Sequence, residues 1–195
     1  MRNSFISDRF KSTIESTLIN NWRVVKILIC GFMGAGKSTL LAKFYPNSLG
    51  FECLDLDFVL SKKLGIDPTK LGSWIEQNGW EKFRKFEYEN LRELLLLNKD
   101  LAIALGGGTL NNEILDLLKK DSGNFLVHLN IPFQTCLQRV SGDANRPMLK
   151  MNLTELENLY KTRHEFFSQA HLTLSPQEIK LIDGLETLVH NLTSR

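Results

Sequence analysis

The stretch from Lys26 to Thr39 reads K-I-L-I-C-G-F-M-G-A-G-K-S-T. A short apolar run opens into G-x-x-x-x-G-K-S, from Gly31 through Gly36, Lys37 and Ser38. This is the phosphate-binding loop pattern with a buried strand expected before it and a helix after it. Gly34 and Gly36 let the backbone turn tightly with no Cβ in the way. The N–H groups so exposed form a concave anion nest at a helix N-terminus. Lys37 is in reach of β- and γ-phosphates, and the Ser38 hydroxyl can ligate Mg²⁺. The pattern predicts binding of a nucleoside triphosphate, but it does not say what receives the phosphate.

The rest of the chain alternates strands and helices. Val24–Cys30 reads as a continuous apolar first strand, and the helix after the loop is expected from Lys37 to Phe44, stopping near Pro46. Phe51–Leu54 is a second strand, ending in Asp55-Leu56-Asp57 ahead of a helix over Phe58–Leu64. Two carboxylates at i, i+2 on a strand project from one side of it. At the end of a strand in an open α/β sheet, that is where ligands sit. Alone, the pair reads equally well as N-caps for the next helix. With the phosphate loop upstream it reads as one carboxylate near Mg²⁺ and one near an acceptor hydroxyl.

Residues 71–98 are helix-rich, with Gly79 parting a short helix from a longer one. Arg84 and Glu87 lie i, i+3 on the longer helix. Spacing alone makes them a solvated ion pair. The functional alternative has Arg84 as a planar donor for an anionic acceptor, oriented by Glu87. A third strand, Leu101–Leu105, runs into Gly106-Gly107-Gly108, a flexible turn by itself but a site of close ligand approach beside the phosphate loop. Asn112–Lys119 is a helix, Phe125–Leu129 a fourth strand, and Pro132–Val140 a helix with Arg139 in its last turn. Residues 141–147 are polar and turn-prone, a candidate lid carrying Arg146, which otherwise is an ordinary exposed loop arginine. A helix over Leu153–Ser168, with Thr154 as cap and Arg163 on it, precedes a fifth strand, Ala170–Leu174. A last helix runs from Ser175-Pro176 to about Leu192. Such alternation predicts a parallel sheet covered on both faces.

Composition mainly excludes. The chain has 195 residues, a net charge of +2 and no long basic tract, so nothing in it points to nucleic acid. No apolar run approaches the roughly 18 residues of a membrane span. Cys30, Cys53 and Cys136 are odd in number and widely spaced, with no metal-binding spacing; Cys30 and Cys53 read as small core residues, and reduced thiols fit a cytoplasmic enzyme. In residues 1–23, Ile6, Phe10, Ile14, Leu18 and Trp22 would align as one stripe of a helical arm. That arm is expected to pack on the outside of the domain, giving a monomer; the alternative is a contact with a second subunit. The lack of an uninterrupted apolar centre argues against a secretory signal, and the acidic Asp8 and Glu15 make an organelle transit peptide the lesser alternative.

From Lys26 to Leu192 the sequence resembles shikimate kinases, of the nucleoside monophosphate kinase-like group of P-loop proteins. The carriers are G-F-M-G-A-G-K-S-T at Gly31–Thr39, D-L-D at Asp55–Asp57, F-R-x-x-E at Phe83–Glu87, G-G-G at Gly106–Gly108 and R-P-M-L at Arg146–Leu149, with Arg163 beyond. The resemblance implies a three-layer α/β/α fold with a five-stranded parallel sheet in the order 2-3-1-4-5. It also implies a substrate-binding segment over about 58–98 and a lid over about 141–152, within one domain over 24–195.

It further implies ATP-dependent phosphorylation of the shikimate 3-hydroxyl with Mg²⁺. Gly34, Ala35, Gly36, Lys37, Ser38 and Thr39 would hold the phosphates. Ser38 would ligate Mg²⁺, with Asp55 reaching it through water. Asp57 would hold and deprotonate the acceptor hydroxyl. Arg84, Arg163 and the backbone around Gly107, flanked by Gly106 and Gly108, would bind shikimate, Glu87 orienting Arg84. Arg146 would reach the phosphates from the lid, and Arg139 would pack on adenine. Where this family usually has Pro and an aromatic hydroxyl after the arginine at 163, this chain has Glu165 and Phe167; Ser175-Pro176-Gln177 stands where a basic residue is frequent. Two rival readings share the loop: a kinase for another small polyol or sugar acid such as gluconate, and a nucleotide-binding regulator without catalysis. D-L-D, F-R-x-x-E and the triple glycine speak against the first, and the presence of Asp57, Arg84 and Arg163 against the second.

Overall fold

Successive strand residues point to opposite faces, so a strand with no exposed position must be covered on both sides. In the computed structural model, which describes residues 24–141 and 151–194, β1 (Lys26–Cys30) and β3 (Leu101–Ala104) are buried at every position. With β2 (Glu52–Asp55), β4 (Asn124–Leu129) and β5 (Leu172–Leu174) they form one parallel sheet in the order β2-β3-β1-β4-β5. This is the expected sheet. The edge strands β2 and β5 are the ones that keep exposed positions, Glu52 and Thr173.

Among the described residues the helices are α1 (Lys37–Ala42), α2 (Leu56–Leu64), α3 (Leu71–Asn78), α4 (Trp80–Leu96), α5 (Asn112–Lys119), α6 (Phe133–Val140), α7 (Leu153–Phe167), α8 (Pro176–Leu181) and α9 (Leu185–Thr193). The core they enclose includes Leu28 and Ile29 of β1, Ile103 of β3, and Phe32, Phe44, Leu60 and Leu91 from the surrounding elements.

Several local expectations change. The first strand is not wholly apolar: Lys26 is only 2% exposed, and its ammonium donates to the carbonyls of Leu97, at 2.7 Å, and of Lys99. A buried cation is tolerable there because it satisfies carbonyls left open beyond the end of α4. The helix after the loop stops at Ala42, and a 3₁₀ turn over Tyr45–Asn47 follows, with Pro46 at its start. Asn152, not Thr154, caps α7: its side chain accepts from Glu155 N at 2.9 Å while the Glu155 carboxylate takes Asn152 N at 3.0 Å.

The last helix is two helices. Ile182 leaves helical geometry, buries completely, and gives its carbonyl to Lys43 Nζ at 2.6 Å. Ser175 does begin α8, as one half of a capping box with Glu178. Cys53, on the edge strand, is half-buried rather than a core residue, whereas Cys30 and Cys136 are buried; all three are free thiols. The arm over residues 1–23 and residues 142–150 of the expected lid, Arg146 among them, lie outside the described residues. Among the described residues, no helix is long and apolar enough to cross a membrane.

Candidate active site

The strand order decides which loops meet. β3 lies between β2 and β1, so the segments after all three strands emerge side by side at the carboxyl edge of the sheet. The glycine loop after β1 is built as its spacing predicts. Gly34 and Gly36 sit at φ 76° and 93°, in the left-handed region. A Cβ on Gly34 would also lie 2.4 Å from the carbonyl oxygen of Cys136, so the loop lies tight against α6. Ala35 N bonds the Phe32 carbonyl at 3.1 Å, and Lys37 Nζ reaches back to the carbonyls of Gly31 and Phe32 at 2.9 and 3.0 Å. Arg139 Nη1 donates to the carbonyls of Gly34, at 3.2 Å, and Ala35, at 3.4 Å, so two cations flank the nest. No acidic residue stands in the first turn of α1 to compete for its N-terminal amides. Thr39 is the third residue of α1, after Lys37 and Ser38.

Asp55 and Asp57 are placed differently from the strand-alternation argument. Asp55 ends β2 and caps α2, accepting from the N–H groups of Asp57 and Phe58 at 3.1 and 3.4 Å. Its second oxygen, Oδ2, accepts from Ser38 Oγ at 2.5 Å. Asp57 lies in the first turn of the helix, which begins two residues earlier than expected. The capping reading holds for Asp55: one of its oxygens closes a helix end, and the other meets the serine after the phosphate loop.

Side chains from several elements converge on the triple glycine. A Cβ on Gly106 would come within 3.1 Å of both Asp57 Oδ1 and Glu87 Oε1, and 2.9 Å from Thr109 Oγ1. One on Gly107 would stand 3.0 Å from Met33 N in the phosphate loop. One on Gly108 would meet Nη2 of both Arg84 and Arg163 at 2.6 Å. So the missing side chains let Asp57, Arg84, Arg163 and the loop come close around the triplet.

Arg84 and Glu87 are no solvated pair either. Glu87 is 2% exposed, accepts from Arg84 Nη1, and accepts from Thr109 Oγ1 at 2.5 Å. The Arg84 guanidinium lies over Trp80 at 5.0 Å and Phe83 at 5.4 Å. Arg163 comes from α7 and lies over the Phe32 ring at 5.5 Å. Burial first, and then the neighbouring Arg84 charge, push Arg163 down to about 10, with Glu87 pulling the other way; it stays protonated at neutral pH. The Arg84 and Arg163 guanidiniums thus meet at Gly108, with the Glu87 carboxylate bonded to the first of them.

Phe167, at a departure from the family pattern, is a core residue: 2% exposed, with its ring 5.0 Å from that of His128. Glu165 faces solvent. Neither touches the arginine clamp through any contact described here. The residues missed in the sequence are Thr109, Phe32 and Trp80. Nothing in their spacing marks them, since each acts through a partner distant in sequence or through an aromatic face.

A family model described as shikimate kinase matches residues 33–191. A shikimate kinase of Persephonella marina is 32% identical over 151 residues, 77% of this chain and 88% of that protein. One from Aquifex aeolicus is 32% identical over 160 residues, 80% of this chain and 91% of its own length. The crystal structure of an Acinetobacter baumannii shikimate kinase in complex with shikimate superposes with a TM-score of 0.72 at 29% identity, covering 90% of this chain and 92% of that one. With the glycine loop, the paired aspartates and the arginines arranged around Gly106–Gly108, the chain belongs to the shikimate kinase family.

Proposed function

We propose that this kinase transfers the γ-phosphate of ATP to the 3-hydroxyl of shikimate, giving shikimate 3-phosphate and ADP, a step of chorismate and aromatic amino-acid biosynthesis. The observation that carries the reading is the convergence of Asp57, Arg84 and Arg163 on the glycine triplet, whose middle member abuts the phosphate loop. Phosphoryl transfer asks for positioning and charge neutralisation more than covalent help from the protein. Arg84 and Arg163 clamp the acceptor carboxylate, which places the hydroxyl at Asp57. Asp57 takes the hydroxyl proton as the oxygen attacks. The amides of Gly34 to Thr39 and the Lys37 ammonium hold the phosphates. Arg146 adds a charge from the lid over 141–152, and Arg139 packs on adenine.

Ser38 Oγ and the Asp55 carboxylate, 2.5 Å apart, are hard oxygen donors of the kind Mg²⁺ takes. Among the described residues no cluster of three or more His, Cys, Asp or Glu could cage a metal, which fits an ion that also relies on phosphate oxygens and water. When bound, Mg²⁺ would neutralise charge on the β- and γ-phosphates. The free thiols suit a reducing cytoplasm, and we take the chain to act as a monomer on a small-molecule acceptor.

The test measures ADP release with shikimate, with gluconate and with no acceptor. Release only with shikimate is expected. Release with gluconate alone selects the sugar-acid kinase, and nucleotide binding without any acceptor-dependent release selects the regulator.

A further inference from the structure

Glu87 presents one oxygen to Arg84 and the other to Thr109. Thr109 follows the glycine triplet, is 1% exposed, and lies 22 residues along the chain from the carboxylate that it meets. A hydroxyl bonded to a buried carboxylate is among the stronger hydrogen bonds a protein makes. A cavity of about 210 Å³ borders Arg84, Glu87 and Thr109 together. A Glu87 carboxylate that lost its hydroxyl partner therefore has space to rotate into. Arg84 would keep its rings, Trp80 at 5.0 Å and Phe83 at 5.4 Å, but ring faces hold a guanidinium in place without fixing its direction in the plane.

We infer that Thr109 is a positioning residue for the acceptor: its hydroxyl locks the Glu87 carboxylate so that Glu87 aims Arg84 at the acceptor's acid group. The chain of contacts runs from Thr109 Oγ1 to Glu87 Oε1, then through Glu87 Oε2 to Arg84 Nη1, and so to the substrate carboxylate. It rests on the reading of Arg84 as part of the shikimate clamp. The nucleotide side is independent of it, because the loop touches the triplet at Gly107, one residue away from the clamp at Gly108.

The test is steady-state kinetics of full-length Thr109→Val, which keeps the shape and removes the donor, beside Thr109→Ser, which keeps the donor and trims a methyl. Thr109→Val is expected to raise the KM for shikimate about tenfold, with kcat and the KM for ATP within about twofold. Thr109→Ser is expected to stay within about threefold of wild type on every constant. A shikimate KM unchanged in the valine variant overturns the inference, as does an equal loss in the serine variant, which would make the effect one of bulk. Should the valine variant not fold, Thr109→Ala against Thr109→Ser asks the same question, and equal KM values in that pair overturn it. Wild-type protein that releases no ADP on adding shikimate removes the proposed function and this inference with it, whereas an active wild type beside an unaffected valine variant removes only the inference.

Discussion

Replacing Gly108 by alanine should separate stability from activity. The Gly108 backbone is outside the left-handed region, so an alanine adds no backbone strain there. By restricting the unfolded chain it should favour the fold by about 0.4–1 kcal/mol. The new carbon would stand 2.6 Å from Nη2 of Arg84 and of Arg163, and 3.0 Å from Arg163 Cζ. These are the ends of flexible side chains, so they give way and the fold survives. Ordinary contact begins near 3.4 Å, so each tip must retreat by about 0.8 Å. Charge-assisted N–H···O bonds run about 2.7–2.9 Å, and that retreat carries them past the roughly 3.5 Å at which a hydrogen bond ends. A hydrogen bond to a charged group is worth about 1.5–3 kcal/mol, so losing one raises the KM for shikimate about 10- to 100-fold. Coupled-assay kinetics with both substrates, beside a thermal melt, read all of this at once: shikimate KM up, ATP KM within about twofold, Tm unchanged or raised. A shikimate KM within twofold of wild type, in protein that melts normally, would show that these two guanidiniums do not bind the acceptor.

Other perturbations follow from the same geometry. Asp57→Asn should lower kcat by about 10²- to 10⁴-fold with its circular dichroism and melt unchanged, as expected for loss of a general base; near-normal turnover would reassign the base. Gly34→Ala should cost more than the roughly 1–2 kcal/mol of left-handed strain alone, because its methyl would lie 2.4 Å from the Cys136 carbonyl. Gly36→Ala, with only Arg139 Nη1 at 3.7 Å, should show that strain by itself, and urea unfolding of the pair gives the difference. Stability should also fall in acid through His128, which is 3% exposed, has an unpartnered Nδ1, and is pushed down to about 4 by burial and then by the nearby His164. Above pH 6.5 both states hold it neutral; between 6.5 and about 4 the unfolded chain binds a proton that the fold refuses, so about 2–3 kcal/mol is lost across that window. His128→Phe should flatten that part of the urea-melt pH profile.

The parts of the fold that the sequence specifies locally were legible in it. The glycine loop with the helix start at Lys37 and the helix over Asn112–Lys119 rest on nearby residues, and both stand where expected. The misplacements have long-range causes. Ile182 breaks the last helix because burying its side chain and meeting Lys43, 139 residues away, outweighs a continued hydrogen-bond ladder. Lys26 survives inside the sheet because the carbonyls of Leu97 and Lys99 come to it. Asp57 sits on a helix because the Asp55 side chain captures the N–H groups that end the strand. For the site, the family resemblance nominated Arg84, Arg163 and Asp57, whereas spacing alone left Arg84 in a solvated ion pair. Residue type and order were not enough to tell a surface ion pair from a buried one, since the burial of Glu87 depends on Thr109, a contact that spacing does not encode.

The acceptor site also explains why its occupant should be an acid of about this size. Arg84 and Arg163 approach a single point, and Glu87 pairs with the first of them. Burial first, and then the neighbouring Arg84 charge, lowers the proton affinity of Arg163, and an anion joining the two guanidiniums would offset both. A neutral sugar would leave that repulsion in place; a carboxylate between the guanidiniums removes it and gains paired hydrogen bonds. In the proposed reading the arginines act at Gly108 and Asp57 at Gly106, so the two ends of the site are separated by two residues, at most roughly 7 Å of backbone. That is the scale of one six-membered ring with its substituents, and a longer acid gripped by the same clamp would carry its hydroxyl past Asp57.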